Sequence, residues 1–276
     1  MGKYYYRIMF AIFWCAFIIC GGLRVYLKLW KTDPITGFYR SESIFTIMLS
    51  VLLAVTMIAM LLLNRLKRVY NDYPMVRQNR YIGFFSVLSG ISIALFTIEQ
   101  TGWLTITNHV GTPLHEGGVW LCGILGVMAS LVFIANGLYT IFTRKEGANG
   151  VLLLIPTIWQ ASVIVVKYNS YNTITTNCDN LLIILFMTAS ILFLMGNART
   201  ICGFSRKNGR NYTLPAGLIV SMTGLLLTIP NYIYRIVWSV PNPAMALGDM
   251  ESIYITIFSV YAFACVTRLR RSIAFV

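Results

Sequence analysis

The two histidines of this chain, His109 and His115, share one stretch, NHVGTPLHEGGVW at 108–120. His115-Glu116 opens like H-E-x-x-H, in which two histidines one helical turn apart hold zinc and the glutamate activates its water. Val119 stands where the second histidine belongs, so His109 could complete a ligand set only if the loop folded back on itself. Other intramembrane chemistries lack their residues. Haem held between helices needs histidines inside apolar segments, and neither lies in one. None of the nine Asp and Glu residues falls near the middle of an apolar run, which disfavours an intramembrane aspartyl protease and a carrier built on a central carboxylate. The six cysteines (Cys15, Cys20, Cys122, Cys178, Cys202 and Cys265) lie mostly inside apolar runs, form no C-x-x-C pair, and read as small packing residues. The residue types thus offer no catalytic constellation, no metal set and no cofactor ligand, and an enzyme acting on lipid is left without a nucleophile.

What can bind is a set of polar residues at the margins of apolar segments, and those segments come first. With 57% hydrophobic and 11% charged residues the chain is far from a soluble domain, where about a quarter of residues are charged. Crossing the hydrocarbon takes about 20 apolar residues. Eight candidate spans read at about 8–27, 44–63, 81–98, 119–141, 150–166, 181–196, 214–237 and 253–267. In lipid every backbone polar group must be satisfied internally, so long apolar runs predict helices, and the expectation is an all-α polytopic transmembrane bundle forming a single membrane domain over 1–276. The first run ends in Arg24 without a small-residue cleavage pattern and reads as a retained span.

Charge predicts sidedness. Of the 22 basic residues, 16 lie at the N-terminus, in the 64–80, 143–149 and 197–211 segments and at the C-terminus, all on alternate connections. The positive-inside rule makes that face cytoplasmic and puts both termini there. Only Asp72 and Glu146 oppose this charge, so the face should attract anionic lipid headgroups at about 1 kcal/mol per basic residue, and the formal +13 needs no nucleic acid to explain it. The sequon Asn211-Tyr212-Thr213 falls on the same side and signals no glycosylation.

Local signals set the boundaries. Ser41 and Ser43 can cap the second helix, Thr213 with Pro215 suits a helix start, and Asp249 with Glu251 puts negative charge on the first turn of the eighth. Trp30, Trp103, Trp120 and Trp238 mark the outer interface. Gly118, Cys122, Gly126 and Ser130 recur every four residues, a stripe that lets helices approach closely within the bundle. Pro156 and Pro230 each remove a backbone bond inside a span, so kinks are expected.

Against that frame the ligand candidates are Arg24, Glu99, Lys167, Arg235 and Glu251, about one turn from the outer edge of the hydrocarbon, with Gln160 at mid-depth and Asn231 beside the Pro230 kink. Charges at such depth are costly alone. They predict snorkelling heads, ion pairs such as Arg24 with Glu99 or Arg235 with Glu251, or a vestibule where Arg24, Lys167 and Arg235 converge on an anionic ligand. The neutral residues Gln160, Ser89, Thr188, Ser190, Ser221, Thr223 and Ser259 predict helix-to-helix hydrogen bonds or a narrow polar path for a small solute. The functional expectation is a small-solute permease or ligand-binding membrane protein with an outward polar site; the alternative is a non-catalytic structural subunit whose basic loops dock lipid or a protein partner.

One string carries a resemblance. Leu23-Arg24 through Asp33-Pro34-x-Thr36-Gly37-Phe38 resembles the first-span signature of multi-pass membrane proteins of anaerobic Gram-positive bacteria. It covers about 16 residues, implies a bacterial cytoplasmic membrane, and implies no activity.

Overall fold

The structure is a computed structural model, and it describes residues 2–31, 44–66, 80–101, 116–143, 150–170, 178–202, 206–238 and 247–274. They form eight helices: α1 (Gly2–Trp30), α2 (Ile44–Leu66), α3 (Arg80–Gln100), α4 (Glu116–Thr143), α5 (Leu154–Ser170), α6 (Cys178–Cys202), α7 (Arg206–Trp238) and α8 (Asp249–Ala274). Seven are long and apolar enough to cross a membrane, so the chain is an all-α transmembrane bundle. The exception, α5, has 17 residues, about 25 Å at 1.5 Å per residue. A turn of i to i+3 bonds precedes it, Leu153 N–H to Gly150 O at 3.2 Å and Ile155 N–H to Leu152 O at 3.1 Å. That turn abuts Cys202 at the end of α6, while Val166 reaches Gly118 near the start of α4. α5 and its lead-in therefore run between the same two levels as their neighbours. The bundle ends are called outer and inner here, after the sidedness expected from charge.

The helices close a ring. α3 packs on α4, α4 on α5, α5 on α6, α6 on α7, α7 on α8, and α8 back on α3; α1 and α2 stand outside it, attached chiefly to α7. Two seams are backbone-tight. A methyl at Gly83 would sit 2.7 Å from the carbonyl oxygen of Gly137, and one at Gly137 2.7 Å from that of Gly83, so glycine alone permits this approach of α3 to α4. In the same way Gly196 and Gly209 bring α6 against α7. The small-residue stripe of α4 also serves packing inside the bundle: Cys122 donates to Ser162 Oγ of α5 at 3.1 Å, and Gly126 makes room for Thr97 of α3 and Trp159 of α5.

Two proline expectations are corrected. Pro156 is the third residue of α5, in a first turn whose N–H groups need no intrahelical partner, so it suits the helix start and follows only the short turn over 150–153. Pro215 does not mark the start of α7, which begins at Arg206 and carries both Pro215 and Pro230 inside. Thr213 accordingly does not cap; its hydroxyl donates back to Gly209 O at 2.8 Å. Proline at 215 denies a donor to the carbonyl of Asn211 four residues earlier. Asn64 of α2 supplies the missing bond, Nδ2 to Asn211 O at 2.7 Å. Asp249 and Glu251 do occupy the first turn of α8. Ser41, Ser43 and Trp103 lie outside the described residues.

Inside the ring the filling is aromatic. Tyr254, Phe258 and Tyr261, spaced to share one face of α8, are all buried and meet Phe133 of α4 and Phe186 and Phe193 of α6, mostly edge to face at 5.6–6.3 Å. Most mid-depth hydroxyls turn back on their own helix, as Thr188 does to Ile184 O, Ser190 to Phe186 O and Thr223 to Ile219 O. Ser221 additionally reaches Ser259 O at 3.1 Å and ties α7 to α8. The column of rings, and not a file of hydroxyls, occupies the middle of the axis.

Candidate functional site

In a ring of six, α5 and α8 stand opposite each other, and α5 packs on α4 and α6. Long side chains cross the space between them. Gln160 and Lys167 are seven residues apart on α5, Glu251 and Tyr254 three apart on α8, so each pair lies on one face. Lys167 forms an ion pair with Glu251, and Tyr254 donates to Gln160 Oε1 at 2.8 Å. The lysine and glutamate side chains are 15% and 6% exposed, so the pair is largely desolvated. Trp159 fills the remaining space, edge-on to Tyr254 at 5.5 Å and to Phe96 of α3 at 6.2 Å.

The first turn of α8 gathers the other charges. Arg235 pairs with Asp249 in a more open setting, the side chains 32% and 36% exposed. Glu99 lies against Gly248, where an added methyl would sit 2.7 Å from its Oε2, so the absent side chain admits this carboxylate to the head of α8. Three carboxylates at a helix N-terminus are partly offset by the positive end of its dipole. The sequence-level expectation of Arg235 with Glu251 is thus corrected: Asp249 takes the arginine and Glu251 the lysine across the ring. Lys167 and Arg235 are both engaged by carboxylates. Arg24, fully buried, lies on α1, which packs on α2 and α7 and so stands outside the ring, as does Lys28 one turn on. Asn231, buried on α7, lies one turn below Arg235.

Among the described residues, Gln160 Nε2 and Trp159 Nε1 on α5, Asn231 Oδ1 on α7 and the Glu99 Oε1 atom on α3 are buried polar atoms that meet no hydrogen-bond partner. An unmade bond on a buried group costs about 1–3 kcal/mol. Each such group in a folded protein calls for an explanation, such as a bound water, a ligand or stored strain. Sequence reasoning found Gln160, Lys167, Glu251 and Asn231, and missed Trp159 and Tyr254; the spacing of Tyr254 from Glu251 was the available signal. It also missed a polar pocket at the inner end of the ring, lined by Ser86, Asn136, Thr140, Asn197, Tyr261 and Arg268 among others. His109 and His115 lie outside the described residues, among which no three His, Cys, Asp or Glu side chains stand together as metal ligands. Comparison with protein-family models, curated proteins and solved structures gives no match.

Proposed function

We propose that this multi-pass membrane protein is a permease or binding protein for a small polar solute, taken up at the outer end of the six-helix ring between α5 and α8. One observation carries the reading: Gln160 is fully buried in the ring, its Oε1 satisfied by Tyr254 and its Nε2 meeting no acceptor among the described residues. Since Lys167 and Arg235 are each engaged by a carboxylate, an uncharged or zwitterionic solute is preferred to the anionic ligand, the other alternative that the sequence raises. The basic excess of the opposite face supports an inward orientation of both termini, and with the first-span resemblance it supports a bacterial cytoplasmic membrane with anionic headgroups against the inner loops.

The test is thermal unfolding in mild detergent against amides, polyols, amino acids, sugars and small anions, for wild type and Gln160→Leu. A ligand at 100 times its dissociation constant adds about 2.7 kcal/mol to the folded state. Stabilisation by a neutral class that disappears with Gln160→Leu is the expected result. If nothing stabilises the wild type, or the shift survives the substitution, the reading is wrong.

A further inference from the structure

The inner polar pocket has no part in the ion-pair cluster. It lies at the opposite end of the ring, where α3, α4, α6, α7 and α8 converge, and its cavity volume is about 30 Å³. A buried water needs roughly 10–15 Å³ on this measure, so the space takes two waters or a solute of a few heavy atoms. Four of its hydroxyls have spent their protons on backbone carbonyls: Ser86 on Phe133 O, Thr140 on Asn136 O, Thr200 on Gly196 O and Thr213 on Gly209 O. These four oxygens can offer only lone pairs, beside the amides of Asn136 and Asn197 and the Tyr261 hydroxyl. Asn197 donates to the Tyr261 hydroxyl only at a stretched 3.5 Å, a bond easily exchanged for a better acceptor. Arg268, at the end of α8, is already engaged in an interaction of its own.

Both ends of the axis therefore mix donors with acceptors. At the outer end Gln160 Nε2 and Trp159 Nε1 are donors and Asn231 Oδ1 is an acceptor; at the inner pocket the hydroxyl oxygens stand beside the amides of Asn136 and Asn197. Between them stands the α8 column, whose Tyr254 hydroxyl meets Gln160 and whose Tyr261 hydroxyl meets Asn197.

Resting on the function proposed above, we infer that the inner pocket is the inward-facing station of the same pathway, and that the solute is a small uncharged molecule carrying both an acceptor and a donor, a short amide or polyol. A mixture of donors and acceptors at each end suits a neutral molecule with both functions better than a bare anion or a bare cation. The Tyr254–Phe258–Tyr261 face of α8 separates the two stations and must shift for solute to pass.

Cys265 lines the inner pocket and supplies the reporter. The protein, with its other five cysteines replaced by alanine, is reconstituted in vesicles and treated with a membrane-impermeant thiol reagent from either face, with and without formamide, urea, glycerol, acetate or methylammonium. Labelling is expected only from the inner face, where α4 and α6 end. An occupant should slow it by one plus the ratio of concentration to dissociation constant, about tenfold at ten times that constant. Protection by the amides or by glycerol, lost with Asn197→Leu, supports the inference and tells the two classes apart; Thr140→Val replaces that variant if it does not fold. Labelling from the other face, no labelling, protection by acetate or methylammonium alone, or protection that survives the substitution overturns it. Uptake in the same vesicles separates the two claims. Saturable uptake lost with Gln160→Leu but without protection of Cys265 sinks only the inner station, whereas absence of both sinks the permease reading as well.

Discussion

The bond from Asn64 to the carbonyl of Asn211 ties the outlying α1–α2 pair to a defect that Pro215 makes in α7, and its energy can be worked out in advance. In an uninterrupted helix the N–H at 215 would satisfy that carbonyl. Proline removes it, so Asn64→Ala leaves the carbonyl without its side-chain donor and should cost about 1–2 kcal/mol. The lower end is expected, because side-chain bonds between membrane helices average about 0.6 kcal/mol. With Pro215→Ala the backbone donor returns and relieves a helix-interior penalty of about 3 kcal/mol. In that background Asn64→Ala should cost less than about 0.5 kcal/mol, a coupling well within the 0.5–3 kcal/mol found for residues sharing a partner. Reversible unfolding of the four proteins in mixed micelles measures it. Should Asn64→Ala cost the same in both backgrounds to within about 0.3 kcal/mol, the repair argument is refuted, since independent sites behave that way.

Other substitutions test the seams and the charges. Gly83→Ala puts a methyl 2.7 Å from the Gly137 carbonyl oxygen and should cost about 1–3 kcal/mol, whereas Gly22→Ala meets nothing within 4 Å and should be neutral or gain up to about 1 kcal/mol. Melting temperatures in one detergent rank the two, and equal values would remove the case for a glycine-dependent seam. Breaking the desolvated pair with Lys167→Met or Glu251→Gln should cost about 3 kcal/mol or more, and the double variant should recover most of that. Arg235→Ala, from the more exposed pair, should cost no more than about 1 kcal/mol in the same unfolding assay; the opposite order would mean that the burial of these pairs has been misjudged.

The helices were legible because hydrocarbon leaves the backbone one solution, but hydropathy reads depth and not helix length. Hence α7 was expected from about 214 and begins at Arg206: its polar lead-in is helical because Gly209 and Thr213 pack on Gly196 and Thr200 of α6, a tertiary contact that no apolar count contains. Gln160, Lys167 and Glu251 stood out as polar groups in apolar surroundings. Their partners did not, since Lys167 finds Glu251 and Gln160 finds Tyr254 only because the order of packing sets α5 opposite α8. Asn136 and Asn197 drew no notice, as polar side chains near helix ends are ordinary and only the convergence of five helices makes them a pocket.

The ring has a consequence for assembly. Its closing seam joins α3 to α8, helices with four others between them in the chain. Each neighbouring pair can dock as it enters the bilayer, but the side of α3 that will meet α8, with Phe96 and Glu99 on it, must wait while α4 to α7 are made. During that interval the half-built protein is an open arc whose aromatic inner wall has yet to meet Tyr254, Phe258 and Tyr261 of α8. The arrival of α8 brings the aromatic column and the counter-charges together, so the step that completes the fold is also the one that first makes the α5–α8 pairings and closes the inner pocket.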